Sequence, residues 1–348
     1  MNYAKRPLIG LSIGGCMSSI YMYRPLPDPK TGDGPIRSGP LISNRQINSG
    51  QSIFYDIGQK IIVFSTVSVT RAFLTVGGKF NILMDDNYYN FISKAISRHE
   101  SQPLITISNH RSMFDDPSIL SSLLPYWYNI QPKYLRWNVC SQEFCFNDII
   151  PNFIQAYIGA GKTLPIWRGG GINQKLLWDF ATKVAQGQWC HIFPEGGVWQ
   201  RDTLGGRSNG QEKNIGKLKW GVGKLIAHAP VLPIVIPFFH MGMETVIPQN
   251  QETRLTEGLP IPRPGHSVTL RFGQQIHFDD LIDEHEKTYG KLWKYRHTDD
   301  NNDNDNYATN KIMWKSKPED LILYQKITPR IQERLELLNN NYLNERKI

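Results

Sequence analysis

The chain has 348 residues, of which 40% are hydrophobic, and it carries a formal net charge of +8. This length and apolar content predict one large folded domain or two ordinary ones, and they exclude an extended low-complexity protein. The positive charge favours an anionic partner, either nucleic acid or an anionic lipid surface. Because no zinc-finger spacing or RNA-binding aromatic motif is present, the composition favours the lipid surface and predicts no nucleic-acid partner.

The first 76 residues divide into an arm and an apolar segment. Residues 1–50 are rich in Gly, Pro, Ser and basic side chains, which predicts a flexible N-terminal arm. Residues 53–76 are the longest apolar stretch, but the uncharged run within them, residues 61–70, is half of the roughly 20 residues that a membrane-spanning helix needs. We expect a helix that lies in a membrane interface, or alternatively a core helix of the domain.

The rest of the chain alternates between strand-like and helix-like segments, as in an α/β domain. Strands are predicted over residues 104–107, 134–139, 189–193, 231–239 and 267–272, and helices over residues 85–99, 117–124, 174–186, 213–229, 318–342 and from residue 279 onward. We therefore expect a single α/β domain over residues 51–296, with a mixed sheet covered by helices. An Asn/Asp-rich tract, residues 297–310, is predicted to be disordered, and residues 311–348 to contain a C-terminal helix.

A histidine and an aspartate follow the strand at residues 104–107. His110 and Asp115 are separated by four residues, a spacing that lets the chain turn back so that the carboxylate meets the imidazole. A carboxylate of this kind holds one ring tautomer and stabilises the imidazolium that forms when the ring takes a proton. The pair also arises by chance, so it predicts a general base only together with other site residues.

Three later strand-like runs also end in polar or glycine-rich turns. The turns after the first two runs contain Arg168 and then Glu195 with Gly196, and the third run includes residues 233–237. Because the carboxyl ends of parallel strands meet at one edge of a sheet, we expect these turns to lie beside His110. An arginine suits a lipid phosphate there, because its planar guanidinium pairs with two phosphate oxygens.

Two other patterns predict alternative or neutral features. Gly161-Lys162-Thr163 fits a relaxed phosphate-binding loop, but Pro165 follows where that loop requires a helix, so a nucleotide site is the weaker interpretation. The four cysteines, Cys16, Cys140, Cys145 and Cys190, show no metal-ligand spacing, and we expect free thiols and no metal site.

The predicted helix over residues 213–229 is amphipathic. Its apolar residues share one face, and Lys213, Lys217, Trp220 and Lys224 gather on the other. Tryptophan favours the headgroup boundary of a membrane and lysine favours anionic lipid, so these four side chains are candidates for membrane contact. An ordinary solvent-exposed face is the alternative.

These segments resemble, in order, the four motifs of the glycerolipid acyltransferase superfamily. The doubled Asp115-Asp116 followed by Pro117 is similar to the tafazzin family within it. Simple glycerophosphate acyltransferases usually continue the third motif with Thr-Arg-Ser, whereas this chain has Gly197-Val198-Trp199 and lacks that second arginine. The resemblance covers roughly residues 54–280.

The resemblance implies the glycerolipid acyltransferase fold at a membrane interface. It implies His110 and Asp115 as catalytic residues, and Asn109, Arg168, Glu195 and Gly196 as substrate-binding residues. Glu195 would accept a substrate hydroxyl or bind Arg168. The implied activity is coenzyme-independent transfer of acyl chains between phospholipids and lysophospholipids, chiefly cardiolipin and monolysocardiolipin, with phosphatidylcholine as a further lipid partner. It would need no cofactor and would take place peripherally on a mitochondrial membrane, inner or outer, facing the intermembrane space.

Two alternatives accompany this interpretation. The same residues suit an acyl-CoA-dependent lysophospholipid acyltransferase. A basic membrane-binding module with a decayed site belongs to another class of protein, but the intact set of His110, Asp115, Arg168 and Glu195 argues against decay.

Overall fold

The structure is a computed structural model that describes residues 24–27, 35–38, 53–147, 150–200, 215–250, 262–295 and 313–345. The strands are β1 (Arg24–Pro27), β2 (Pro35–Ser38), β3 (Lys79–Ile82), β4 (Leu104–Ser108), β5 (Asn138–Ser141), β6 (Thr163–Ile166), β7 (Trp189–Ile192), β8 (Ile234–Met241) and β9 (Ser267–Phe272). The helices are α1 (Ile53–Ala72), α2 (Asp86–Ser97), α3 (Tyr126–Asn129), α4 (Gln142–Cys145), α5 (Asn152–Ala160), α6 (Lys175–Ala185), α7 (Gly221–Ala227), α8 (Met243–Val246), α9 (Asp279–Tyr289) and α10 (Pro318–Glu345). The tract predicted to be disordered lies outside the described residues, and within the predicted arm β1 and β2 pair antiparallel.

A mixed sheet organises the domain, as the sequence predicts. Its strand order is β3-β9-β8-β4-β7, and every neighbouring pair is parallel except β8 with β9. The parallel pair β5-β6 adjoins β7, because the Trp137 N–H donates to the Trp189 carbonyl and the His191 N–H to the Trp137 carbonyl, each at 2.7 Å. Strands β4 to β8 therefore direct their carboxyl ends to one edge.

Both faces of the sheet are buried. Side chains alternate along β4, so that Ile105 and Ile107 face a core shared with α6, α7 and α10, whereas Leu104 faces a second core shared with α2. Helix α2 begins at Asp85, whose carboxylate accepts the Tyr88 N–H at 3.0 Å and caps the helix. The positions of α2, α6, α9 and α10 agree with the sequence prediction.

Helix α1 packs on the domain with one side only. Val63 and Val67 are buried, and the Gln59 side chain donates to the Ala160 carbonyl at 3.0 Å. On the other side Ile61 and Phe64 are exposed. Within the described residues one helical stretch, Ile57–Gly77, is long and apolar enough to cross a membrane by length and composition, and only 22% of that stretch is buried.

The predicted helix over residues 213–229 is wrong for most of its length. Only Gly221–Ala227 is helical, and residues 216–219 have no regular secondary structure. The Gly216 N–H donates to the Glu195 carboxylate at 2.6 Å, and the Lys219 N–H donates to the Pro194 carbonyl at 2.7 Å. Because these amides serve the third motif, they cannot make the bonds of a continuous helix.

The predicted membrane face on this segment needs a correction at Lys224. Its ammonium is buried and donates to the Ile172 carbonyl, the Asn173 side chain and the Trp314 carbonyl. Burial lowers the pKa of Lys224 to about 7. Segments that precede α6 and α10 therefore cover the Lys224 ammonium, and Lys224 does not reach a membrane. Lys217 and Trp220 are exposed, as that prediction requires, and Lys213 lies outside the described residues.

Two further predictions are wrong. Cys140 and Cys145 form a disulfide rather than free thiols, whereas Cys190 is a buried free thiol. The nucleotide-loop alternative also fails, because Lys162 leads into strand β6 and its buried ammonium donates to the Leu135 carbonyl at 3.3 Å. Cys16 lies outside the described residues.

Candidate active site

The His110 ring lies just beyond the carboxyl end of β4. Its Nδ1 and the Asp115 Oδ2 are 2.9 Å apart, the contact that the spacing predicts. The ring stacks on Phe193, with centroids 4.1 Å apart, and 18% of the side chain is exposed. Within the described residues no hydrogen bond involves Nε2, so this nitrogen has a free lone pair when Nδ1 carries the proton.

Asp115 organises the turn that carries His110. It is fully buried, and its Oδ2 also accepts the N–H groups of Arg111 at 2.6 Å and Ser112 at 2.8 Å. Hydrogen bonds from N–H groups stabilise a carboxylate that burial would otherwise penalise. Asp115 therefore holds the imidazole as an anion whose own position the backbone determines.

Glu195 holds the same turn from the neighbouring strand end. Its Oε1 accepts the His110 N–H at 2.7 Å, and its Oε2 accepts the Gly216 N–H at 2.6 Å. The side chain is 1% exposed, and burial raises the pKa of Glu195 to about 7 in spite of both bonds. Both oxygens bind backbone amides and the side chain is buried, which argues against the predicted contacts of Glu195 with a substrate hydroxyl or with Arg168.

Two glycines make this arrangement sterically possible. A β-carbon on Gly216 would lie 2.9 Å from the Glu195 Oε2 and 2.8 Å from the Trp199 ring. Gly196 has a φ of +71°, which other residues adopt only with strain, and it is exposed beside Lys219. Gly196 thus shapes the turn, and its predicted contact with substrate stays a prediction.

Arg168 follows β6 at the same edge of the sheet. Its guanidinium lies over the Phe144 ring at 5.1 Å, and its Nη2 is 3.8 Å from where a β-carbon on Gly197 would lie. The side chain is exposed, and within the described residues it pairs with no carboxylate. An exposed guanidinium beside a glycine turn is open to an anionic ligand.

Comparisons with known proteins decide the family. An acyltransferase family model matches residues 90–237. The chain is 32% identical over 223 residues to the N-acylphosphatidylethanolamine synthase of Arabidopsis thaliana, covering 64% of this chain and 72% of that protein. It is 30% identical over 250 residues to the taffazin of Dictyostelium discoideum, covering 70% and 77%, and 30% identical over 231 residues to the tafazzin of Drosophila melanogaster, covering 66% and 54%.

The chain belongs to the tafazzin family of acyltransferases. It is therefore a phospholipid acyltransferase, and the resemblance seen in its four motifs is confirmed. An acyltransferase needs a base for the acceptor that attacks the ester, and His110 has the geometry for that task. Within the described residues no cluster of three or more His, Cys, Asp or Glu side chains is placed to hold a metal ion.

In this tafazzin-family chain the structure argues against the predicted role of Asn109 in substrate binding. Asn109 is fully buried, its Nδ2 donates to the His240 carbonyl at 2.8 Å, and its Oδ1 accepts the His240 N–H at 3.0 Å. The Asn109 amide thus continues the hydrogen bonding between β4 and β8 beyond the end of the strand. It positions the backbone and cannot touch a substrate.

Sequence reasoning missed two residues that complete the turn. The backbone N–H of Trp199 donates to the His110 carbonyl at 2.7 Å, and the backbone N–H of Gly216 is the second amide that Glu195 binds. Neither has a recognisable motif, and Gly216 lies 21 positions from Glu195. The available signal was a glycine placed between the apolar residues Ile215 and Leu218, where a continuous helix would disfavour it.

The raised pKa of Glu195 predicts a pH-dependent contribution to stability. The folded state binds an extra proton between pH 4.5 and about 7, so this contribution is fully present below pH 4.5 and is lost as pH rises through 7. We expect the unfolding free energy of the natural protein to fall by about 3 kcal/mol across this interval relative to Glu195→Gln. Denaturant titrations at several pH values measure the difference, and parallel curves for the two proteins would contradict the assignment.

Proposed function

We propose that the chain is a coenzyme-independent transacylase that moves acyl chains between phospholipids and lysophospholipids, with cardiolipin as its chief acidic substrate. The observation that carries the proposal is the His110–Asp115 pair, whose outward Nε2 shares one sheet edge with the exposed Arg168. A general base on the same sheet edge as a guanidinium suits a lipid whose reacting hydroxyl is a few bonds from its headgroup phosphate.

The reaction follows from these positions. The lysolipid hydroxyl loses its proton to the His110 Nε2 as its oxygen attacks the ester carbonyl of a donor phospholipid. Asp115 stabilises the imidazolium that forms. When the tetrahedral intermediate collapses, the bond to the donor's glycerol oxygen breaks and the imidazolium returns the proton to that oxygen. The products are an acylated acceptor and a new lysolipid.

Arg168 selects the headgroup in this proposal. Its guanidinium lies over Phe144 and its side chain is exposed, so a phosphate can reach it and bind through two parallel hydrogen bonds. Phe144 is itself exposed, and it offers an apolar surface for the glycerol or acyl part of the same lipid. Arg168 and Gly196 are thus the proposed substrate contacts, while Asn109 and Glu195 hold the turn.

A phospholipid donor fits this site better than acyl-CoA. The 3′-phosphate and pyrophosphate of CoA call for several cations or a glycine loop at a helix N-terminus. The only glycine-lysine-threonine turn in the sequence is unsuitable, because Lys162 is buried. The third motif also lacks the second arginine of simple glycerophosphate acyltransferases. A phospholipid donor can reuse the headgroup position that the product vacates.

A membrane contact completes the proposal. Helix α1 contacts α3 through the Ser68 hydroxyl and Tyr126, which lie 2.9 Å apart, and contacts α5 through Gln59. The three helices carry a set of exposed apolar side chains: Ile57, Ile61, Phe64, Val69, Trp127, Phe153, Ile154 and Tyr157. We assign this set to the interface of an anionic mitochondrial membrane facing the intermembrane space, with the charge of +8 aiding attachment.

A second acceptor is favoured by one comparison. The relative from Arabidopsis thaliana is named as an N-acylphosphatidylethanolamine synthase. An amine acceptor would lose its proton to the same His110 Nε2, so the site chemistry does not separate a hydroxyl from an amine. Phosphatidylethanolamine therefore belongs in the assay as a competing acceptor.

Replacing the base tests the mechanism. His110→Ala should lower acyl transfer by roughly 10²- to 10⁴-fold, the range for a positioned general base, and Asp115→Asn should lower it nearly as far. The matched control is His99→Ala, since His99 is an exposed histidine shortly before β4, whereas His110 directly follows this strand. Near-normal turnover in a folded His110→Ala protein would show that another group takes the proton.

Donor identity is tested with a labelled acyl chain in vesicles without CoA. Labelled phosphatidylcholine should transfer its chain to lysocardiolipin, and labelled cardiolipin should transfer one back to lysophosphatidylcholine. One ester replaces a similar one, so the equilibrium constant should lie near unity. Transfer that requires acyl-CoA would establish the coenzyme-dependent alternative, and labelling of phosphatidylethanolamine nitrogen would establish the amine acceptor.

Introducing two carboxylates on the exposed side of α1 tests the membrane contact. Burial of each apolar side chain contributes about 1.5–3 kcal/mol, so Ile61→Glu with Phe64→Glu should weaken binding to cardiolipin-containing vesicles at least about tenfold. Ile322→Glu on α10 is the matched control, because Ile322 is as exposed as Ile61, at 42% each. Equal loss of vesicle binding in both proteins, measured by co-sedimentation, would remove α1 from the contact.

A further inference from the structure

A row of buried polar side chains lies beneath the turn that carries His110. The row consists of four fully buried side chains: Thr106 and Ser108 on β4, His191 on β7 and His240 on β8. Alternate residues of a strand share one face, and the parallel pairing of these three strands brings the four side chains together. Four buried polar groups in an apolar sheet are costly unless they bind one another.

The hydrogen bonds around His191 have only one consistent direction. The Trp189 indole can only donate, and it donates to the Thr106 hydroxyl at 2.9 Å. The Ser108 hydroxyl donates its one proton to the Asn109 carbonyl, so it can only accept from the His191 ring, and the Thr106 hydroxyl donates to the His191 Nδ1 at 2.9 Å. The proton of His191 must then lie on Nε2, which donates to the Ser108 hydroxyl at 3.3 Å.

The chain of bonds ends on one carbonyl. The Ser108 hydroxyl donates to the Asn109 carbonyl at 3.0 Å. The same oxygen lies 2.9 Å from the His240 Nε2, and since a carbonyl only accepts, His240 carries its proton there. That Nε2 is also 3.5 Å from the Asp115 Oδ2. Burial lowers the pKa of both His191 and His240, so both rings are neutral.

This carbonyl belongs to the peptide unit that enters His110. Its oxygen receives the His240 Nε2–H and the Ser108 hydroxyl, while its nitrogen is the His110 N–H that donates to Glu195 at 2.7 Å. The peptide plane is thus held from both of its ends. On the far side of His110, Trp199 binds the next carbonyl.

We propose that His240 is a positioning residue for acyl transfer: its neutral ring donates to the Asn109 carbonyl, orients the peptide plane before His110, and thereby aims the His110 Nε2 at the reacting hydroxyl. His240 is fully buried, so it does not touch substrate. Its effect is on the direction of another imidazole, and a misplacement of about 1 Å can cost on the order of 10²-fold in rate.

The inference rests on the proposed transfer through His110, and its test separates kcat from KM. His240→Leu removes the donor and should lower kcat by about 10- to 10²-fold with KM changed by less than about threefold, since Arg168 and the membrane contact are untouched. His240→Gln offers an amide N–H in place of the ring N–H and should recover most of kcat. Ser108→Ala removes the other donor to the same carbonyl and should lower kcat by a smaller factor.

His228→Leu is the matched control, because His228 is also a buried neutral histidine, bound to the Trp293 carbonyl at 2.7 Å and the Tyr324 hydroxyl at 2.6 Å away from the sheet edge. Its kcat per folded molecule should be unchanged. Thermal melts establish the folded fraction, and Ser108→Ala and His240→Gln carry the test if His240→Leu does not fold.

The outcomes are distinct from failure of the proposed function. If the natural protein transfers acyl chains and His240→Leu keeps its kcat, or His240→Gln loses as much as His240→Leu, the positioning role is wrong. An equal loss of kcat in His228→Leu would also overturn it, because any buried histidine would then suffice. Absence of transfer in the natural protein would instead contradict the proposed function.

Discussion

Two buried carboxylates hold the backbone around one histidine, and the rest of the site depends on them. Asp115 binds the His110 ring and the next two amides, while Glu195 binds the His110 amide itself. Burying two carboxylates is expensive, and the raised pKa of Glu195 shows that its hydrogen bonds only partly offset the cost. The domain accepts this cost, and in return the base has a defined position before any lipid binds.

The sequence was sufficient for the features that are local. Alternating apolar runs locate the strands, and the four-residue gap between His110 and Asp115 predicts their contact. It was insufficient where a distant partner decides. The helical pattern of residues 213–229 is real, but Pro194 and Glu195 bind amides from its first half, and the Trp314 carbonyl binds the Lys224 ammonium in the interior. Tertiary contacts overrode propensity in each case.

Motif membership also does not distinguish contact with substrate from support of the backbone. Asn109 and Glu195 belong to the motifs, yet both are buried and bind main-chain atoms, whereas Arg168 is exposed. His191 lies on the strand before the third motif and His240 follows the fourth motif on β8, and neither attracts attention as a single residue. Their polar character at alternate strand positions was the available signal, and only the strand order shows that they share a face.

In the proposed reaction, His110 acts on a hydroxyl whose lipid phosphate is bound by Arg168. A crystal structure of the protein with a bound lysophospholipid would show both contacts. We expect the free hydroxyl oxygen within roughly 2.6–3.2 Å of the His110 Nε2, with phosphate oxygens paired to the Arg168 guanidinium. A lysophospholipid whose hydroxyl lies beyond hydrogen-bond reach of His110, with its phosphate on other residues, would contradict both roles.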